Sequence, residues 1–280
     1  MSQTYDPADR IETLTYPDGE TVTYAYDDRT GLPESLDTDD GDKVVHLATY
    51  TAQGQPLTQR WGETAAKNLF VQYQYKSDSQ RLFRIEVDDD TYGQDSHGHF
   101  RYHYDLNGNI TQFKDKKNGA QVQCFFYDDL GRLKEGFISD DISGTSNDCS
   151  NGYQTTGAGW YHRSYDYDPL GNIESWTNEV NQSTKDYTYA QTGNAGPHAA
   201  TNLAGVGSYT YDKNGNQVTR PGATLFFDEA NRLASYTTGG NTTSFTYDAD
   251  GARVIRDEGA NETIYIGGIY EEDDDATRSY

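Results

Sequence analysis

The sequence predicts an all-β protein: a spiralling, curved antiparallel sheet assembled from tandem β-hairpins. Three observations predict it. A Tyr-Asp signature followed by a Gly-Asn or Gly-Arg turn recurs along the whole chain, apolar residues alternate with polar ones at the two-residue period of a half-buried strand, and no span carries a convincing helical period. The best helical stretch, Ala65 to Asn68, is one turn at most.

The repeated pattern reads aromatic, any residue, Tyr-Asp, two or three residues, Gly, Asn or Arg, then an aliphatic. Clear copies carry Tyr104, Asp105 and Gly108; Tyr127, Asp128 and Gly131; Tyr167, Asp168 and Gly171; Tyr211, Asp212 and Gly215; and Tyr247, Asp248 and Gly251. Degenerate copies begin at Tyr5, Tyr26, Tyr50, Tyr75, Tyr189 and Phe227, which makes about eleven units in a single array over residues 1–280. Steps between successive aromatics run from 16 to 29 residues, except one of 40 that contains an insertion at 141–160.

Within a unit, Val22, Tyr24 and Tyr26 alternate with Thr21, Thr23 and Ala25, so one strand face is expected to be buried and aromatic. Asp followed by Asn-Gly or Asp-Gly then ends the strand, because these residues tolerate positive φ and Asp bonds its own downstream backbone. The aliphatic residue begins the return strand. A single hairpin is marginal in water, so each unit must pair with its neighbours.

Composition agrees with such a sheet. Only 34% of residues are hydrophobic and mean hydropathy is −0.92, yet the chain holds 24 Tyr, 10 Phe and 28 Gly. Tyrosine suits a half-wet sheet, since its ring buries well while its hydroxyl needs a partner. The net charge of −23 argues against nucleic acid or an anionic membrane surface as partner and leaves cations and basic proteins, with solubility as the simpler reading. No apolar run reaches the length of a membrane span, and the first residues have neither the basic nor the apolar region of a signal peptide. A soluble piece of something longer is expected. Cys124 and Cys149 either close a loop in an oxidising compartment or stay reduced; the disulfide is the expectation, as a tether for the insertion.

The Tyr-Asp-x-x-Gly-Asn/Arg copies resemble the YD repeats of Rhs proteins, insecticidal toxin-complex shells and teneurin barrels, over nearly the whole chain. Gly196 to Thr201, leading into Tyr211 to Asn216, resembles the region shortly before the end of an Rhs core, and Tyr265 to Glu271 resembles a late-repeat strand. The resemblance implies a β-ribbon spiralling into a hollow shell that encloses a C-terminal toxin or presents an adhesive surface. It further implies a bacterial protein, secreted or at the cell surface, with flanking repeats or an effector domain as partners. The family's closing segment, with its paired Asp-Pro-x-Gly autoproteolysis motif, is not among residues 1–280. About eleven units are therefore expected to make a wall segment of one or two turns.

Candidate chemistry is sparse. Asp168-Pro169-Leu170-Gly171 matches half of that autoproteolysis motif but sits inside an ordinary repeat, so it reads as a turn. Asp212, Asn214 and Asn216, like Asp105, Asn107 and Asn109, mimic the first ligands of a calcium loop, but Gln217 and Ala223, or Ile110 and Lys116, stand where Gly and Glu are needed. The acidic clusters at 37–42, 88–90 and 271–275 read as solvated loops, the last opening a disordered tail at 271–280. His97, His99 and His103 share one strand parity, either as weak candidates for a metal or as a solvent-facing row opposite Phe100, Tyr102 and Tyr104. His198 has no identifiable catalytic partner. Trp61, Trp160 and Trp176 are candidate platforms for stacking on sugars. No nucleophile elbow, zinc-protease, P-loop or dinucleotide motif occurs. The expectation is a non-catalytic, cofactor-free shell segment. The alternatives are a carbohydrate- or protein-binding adhesive module and an unsignalled glycan-acting enzyme.

Overall fold

The computed structural model describes residues 1–39, 43–62, 69–89, 97–116, 121–139, 149, 152–153 and 159–273, with the backbone of 277–279. Among them every regular element is a strand and every described ladder is antiparallel. No helix is long and apolar enough to cross a membrane among the described residues. The helical turn expected at 65–68, most of the insertion at 141–160 and parts of the three acidic clusters lie outside the described residues.

The array read as continuous over 1–280 divides into two compact units, Met1–Ser164 and Tyr165–Tyr280. In the first, consecutive strands from Ser2–Tyr5 to Leu133–Ile138 each pair with their sequence neighbours. In the second, Ile173–Asn178 pairs with Ser183–Thr188, and a nine-stranded meander runs from Thr210–Tyr211 to Thr277–Ser279.

Nine of the described hairpins carry a β-bulge at the same place, just after the repeat turn. Tyr127 faces Leu133 and Phe126 faces Glu135, so Lys134 is the extra residue on the return strand. The same two-against-one step makes extra residues of Glu12, Glu34, Leu57, Phe83, Thr111, Val218, Ala234 and Val254. A bulge bends its strand and increases right-handed twist. Curvature is thus written into these nine repeats, at the second residue after the turn. The placement also explains why Pro33 and Pro56 are tolerated, since each opens a return strand next to a bulge.

The tyrosine faces are only half-buried: Tyr24, Tyr26, Tyr73, Tyr75, Tyr102, Tyr104 and Tyr127 are all intermediate in exposure. The buried apolar cluster lies instead on the reverse face. Val122, Cys124 and Phe137 form it, with Cys149 packed against them, and Cys124 pairs with Phe137 while Tyr127 has the opposite parity. A disulfide joins Cys124 to Cys149, with Cα atoms 5.6 Å apart. Gln112 and Lys114, directly opposite Cys124 and Val122, are buried on the same face. His99 is buried too, at 5% exposure, which corrects the expectation of a solvent-facing histidine row: that parity belongs to the face on which the cluster forms.

Of the tail expected at 271–280, residues 271–273 and the backbone of 277–279 are described, and 274–276 and 280 lie outside the described residues. Tyr270–Asp273 is a strand paired with Glu262–Ile266 and with the backbone of Thr277–Ser279, anchored by Tyr270 at 3% exposure. One buried ring holds the acidic residues that follow it in register.

Closing the 25-residue separation between the cysteines restricts the unfolded chain by about 3.5 kcal/mol. Replacing Cys124 and Cys149 by Ala should therefore lower the stability of the first unit in urea by about 3 kcal/mol. An unchanged urea midpoint would show that the tether does not constrain the unfolded chain.

Candidate functional site at the tyrosine-aspartate joints

In seven repeats the closing turn is a hydrogen-bonded unit built on the aspartate. In the copy at Asp128, one carboxylate oxygen accepts the backbone N–H groups of Leu130 and Arg132 at 3.0 and 2.8 Å, and the other accepts Arg132 Nε at 2.7 Å. Asp212 does the same with Asn214, Asn216 and the Asn216 side-chain amide. Asp6, Asp168 and Asp228 repeat this geometry, Asp105 does so with Gly108 and Asn109, and Asp248 makes the two backbone contacts. The residue before the last needs a left-handed backbone. Gly131 supplies it with φ of 75°, and in the copy that lacks this Gly, Asn231 adopts φ of 61°. Asp9 stands at the equivalent position with φ of 62°, which is how a degenerate repeat keeps its turn.

In eight units the tyrosine reaches back to the unit before it. Tyr26 donates its hydroxyl to Ile11 O, Tyr50 to Pro33 O, Tyr75 to Pro56 O and Tyr127 to Ile110 O, each at 2.8 Å. Tyr104 reaches Leu82 O, Tyr189 reaches Ile173 O, Tyr211 reaches Ala200 O and Tyr247 reaches Leu233 O. Most of these carbonyls belong to the first residue of the return strand, immediately before the bulged residue. A bulge interrupts the ladder, and a backbone acceptor buried there needs a donor. The next tyrosine provides it.

The last turn residue adds a second link between units. Arg10 donates to Gly31 O and lies 4.2 Å over the Tyr26 ring; Arg232 donates to Asp248 O and lies 4.8 Å over Tyr247. Where Asn replaces Arg, it bonds the following loop directly, as Asn172 does to Pro197 O. Sequence reasoning recognised Tyr, Asp and Gly but missed the bulged residue and the role of this Arg or Asn across the joint. The fixed Gly-Asn/Arg pair was the available signal.

The electrostatics follow from these bonds. The carboxyls of Asp6, Asp128 and Asp228 are held below their ordinary value chiefly by the backbone N–H of Arg10, Arg132 and Arg232, and that of Asp105 by the Asn109 amide. Burial raises the phenols of Tyr50, Tyr75, Tyr104 and Tyr127, which keeps them as donors.

The other candidates are not gathered into a site. His97 engages the Asp89 carboxylate, His99 Nε2 accepts from Arg101 Nε at 2.9 Å, and burial with Lys114, Lys76 and Arg101 lowers the His103 pKa. No group of three or more metal-ligating side chains occurs among the described residues. Trp61 ends the strand Pro56–Trp61 at 42% exposure, Trp160 precedes the strand His162–Tyr167, and Trp176 lies within Ile173–Asn178; the latter two are half-buried. His198 Nδ1 sits 2.7 Å from Asn172 Oδ1, as part of the turn network.

Two predictions follow from the joint. Tyr127→Phe keeps the ring and removes the donor to Ile110 O, so it should cost about 1 kcal/mol in urea unfolding, and an unchanged stability would refute the joint. Carboxyls whose pKa is lower in the folded than in the unfolded chain stabilise the fold above the unfolded value of 3.8 and lose that contribution as pH falls through the folded value. The thermal midpoint should accordingly fall below about pH 4, and less steeply in Asp128→Asn than in the parent.

A family model described as Teneurin YD-shell matches residues 1–263. Among solved structures, the chain superposes on a crystal structure of TcdB2-TccC3-Cdc42 with a TM-score of 0.73 at 18% identity, over 98% of this chain and 15% of that one. It superposes on a Tc holotoxin pore from Photorhabdus luminescens with a TM-score of 0.72 at 18% identity, over 98% of this chain and 14% of the other. A crystal structure of TcdB2-TccC3 gives 0.71 at 19% identity, over 98% and 15%. The chain thus spans about one seventh of the structures it matches. Among curated proteins no match was found.

Proposed function

This chain belongs to the Teneurin YD-shell family, and from that premise we propose that it is a non-catalytic wall segment of a YD-repeat shell that encloses or displays an effector carried by the same parent protein. Its partners on this reading are flanking repeats and that effector, and its place is outside the producing cell. The observation that supports a structural role is the use of the repeated side chains. The Tyr hydroxyls and Asp carboxylates of successive units are spent on neighbouring backbone groups, so the chemistry that recurs most often is architectural. The matched structures, a TcdB2-TccC3 complex and a Tc holotoxin pore, favour the same reading by their fold.

Limited proteolysis of the parent protein, with fragments identified by mass spectrometry, tests it. A shell segment should leave sequence downstream of residue 280 resistant to protease in the intact protein and cleaved readily when that sequence is expressed alone. Equal cleavage in both settings would overturn the proposal.

A further inference from the structure

The Cys124–Cys149 disulfide is open to its surroundings at one sulfur only. Cys124 is fully shielded, at 0% exposure, in the cluster with Val122 and Phe137. Cys149 is half-buried and lines an open cleft of about 550 Å³ between the consecutive turns at 105–109 and 128–132. Gln112, which lines the same cleft, donates Nε2 to Cys149 Sγ at 3.4 Å and so holds that sulfur at the cleft wall. A cavity of this size accepts small molecules. The two ends of one bond therefore meet different settings, one a packed apolar cluster and the other a space that opens to solvent.

Disulfides are attacked by thiolates, and which sulfur reacts follows access. Access here leaves Cys149. The charge of the attacking molecule is restricted as well. Asp105, Asp128 and Asp129 line the cleft, and no lysine or arginine does so among the described residues. Asp128 is paired with Arg132, so the field in the cleft is set mainly by Asp105 and Asp129, in a chain whose net charge is −23. A thiol that also carries a cationic group is drawn in, and one that carries a second anionic group is repelled.

We propose that Cys149 is a modification site for small thiols, which enter this cleft and exchange into the disulfide, cationic ones in preference to anionic. The thiolate sulfur bonds Cys149 Sγ while the Cys124–Cys149 bond breaks, its electron pair going to Cys124 Sγ, which takes up a proton. One S–S bond replaces another, so this step needs no oxidant or reductant. Cys124 is released into apolar packing that disfavours charge, so both its departure and its re-closure are slow. A second thiol then displaces the first from Cys149, joining the two small thiols and leaving both cysteines reduced. The tether is thus released in two steps, with the mixed disulfide on Cys149. The inference does not rest on the wall-segment reading, since it needs only the disulfide and the two turns beside it.

Exchange on the intact, folded, disulfide-bonded chain tests the proposal, with cysteamine as the cationic thiol and mercaptoethanesulfonate as the anionic one. Samples are quenched with acid, digested with pepsin and mapped by mass spectrometry. The adduct should appear on the peptide that holds Cys149, at a rate proportional to thiol concentration and unchanged by urea below the unfolding transition. Each rate is divided by that of the same thiol with a small linear disulfide. Cysteamine should then lead by at least about threefold at low salt, and by little at about 1 M salt, where screening acts within about 3 Å. Asp129→Lys, at an exposed turn position, should cut that preference at least about threefold while keeping the parent's urea midpoint. An adduct on Cys124, exchange that begins only where urea unfolds the chain, equal normalised rates for the two thiols, or a preference untouched by Asp129→Lys would each overturn it.

Discussion

The structure depends on a phenol donating to the backbone carbonyl that precedes a bulge. Among the described residues the buried apolar side chains are few and mostly scattered, Leu14, Val22 and Ala48 among them. Stability must then come from links between neighbouring units. Curvature needs bulges, and every bulge weakens the ladder it interrupts. The tyrosine of the following repeat repairs that weakness with a bond to the carbonyl beside it, as Tyr127 does at Ile110. Bending and cohesion are thereby met at one position in the eight units that carry the bond, which are tied to their predecessors in the nearest-neighbour manner of repeat proteins.

The aspartate has a different task. By accepting two backbone N–H groups and one side-chain donor, it fixes the turn that aims the return strand in the units that carry it, and the bulge keeps its place even where Thr51 or Lys76 stands instead. Its demands on the neighbours are loose. Gly131, Asn231 and Asp9 all adopt the left-handed backbone, and Arg132 or Asn216 both satisfy the second carboxylate oxygen. Tolerance of this kind lets the motif fade in sequence while the geometry persists, as at Asp6 to Arg10.

Much of the fold was legible in the sequence because it is local. Strand alternation in Val22, Tyr24 and Tyr26, and the turn at Asp128 to Arg132, depend on residues within a few positions of each other. What was not legible depends on lateral register. The carbonyl that each phenol meets lies in the previous repeat, so neither the bulged Lys134 nor the pairing of Tyr127 with Ile110 can be read from one unit alone. The reverse face was misjudged for a related reason. Parity showed that His99 and Phe100 point opposite ways, but only the packing of Cys149 against Val122, Cys124 and Phe137 shows which of those faces is covered.

The phenol links all run in one direction along the chain. The acceptor carbonyl always comes first, between 11 and 22 residues ahead of the tyrosine that finds it. A polypeptide emerging from the ribosome therefore presents each docking point before its ligand is made, and every new hairpin closes onto one already formed. Each phenol link closes a loop of only 11 to 22 residues, so little chain entropy is lost at any single link. Growth of this wall resembles laying courses of brick, in which the mortar for each course is carried by the one above.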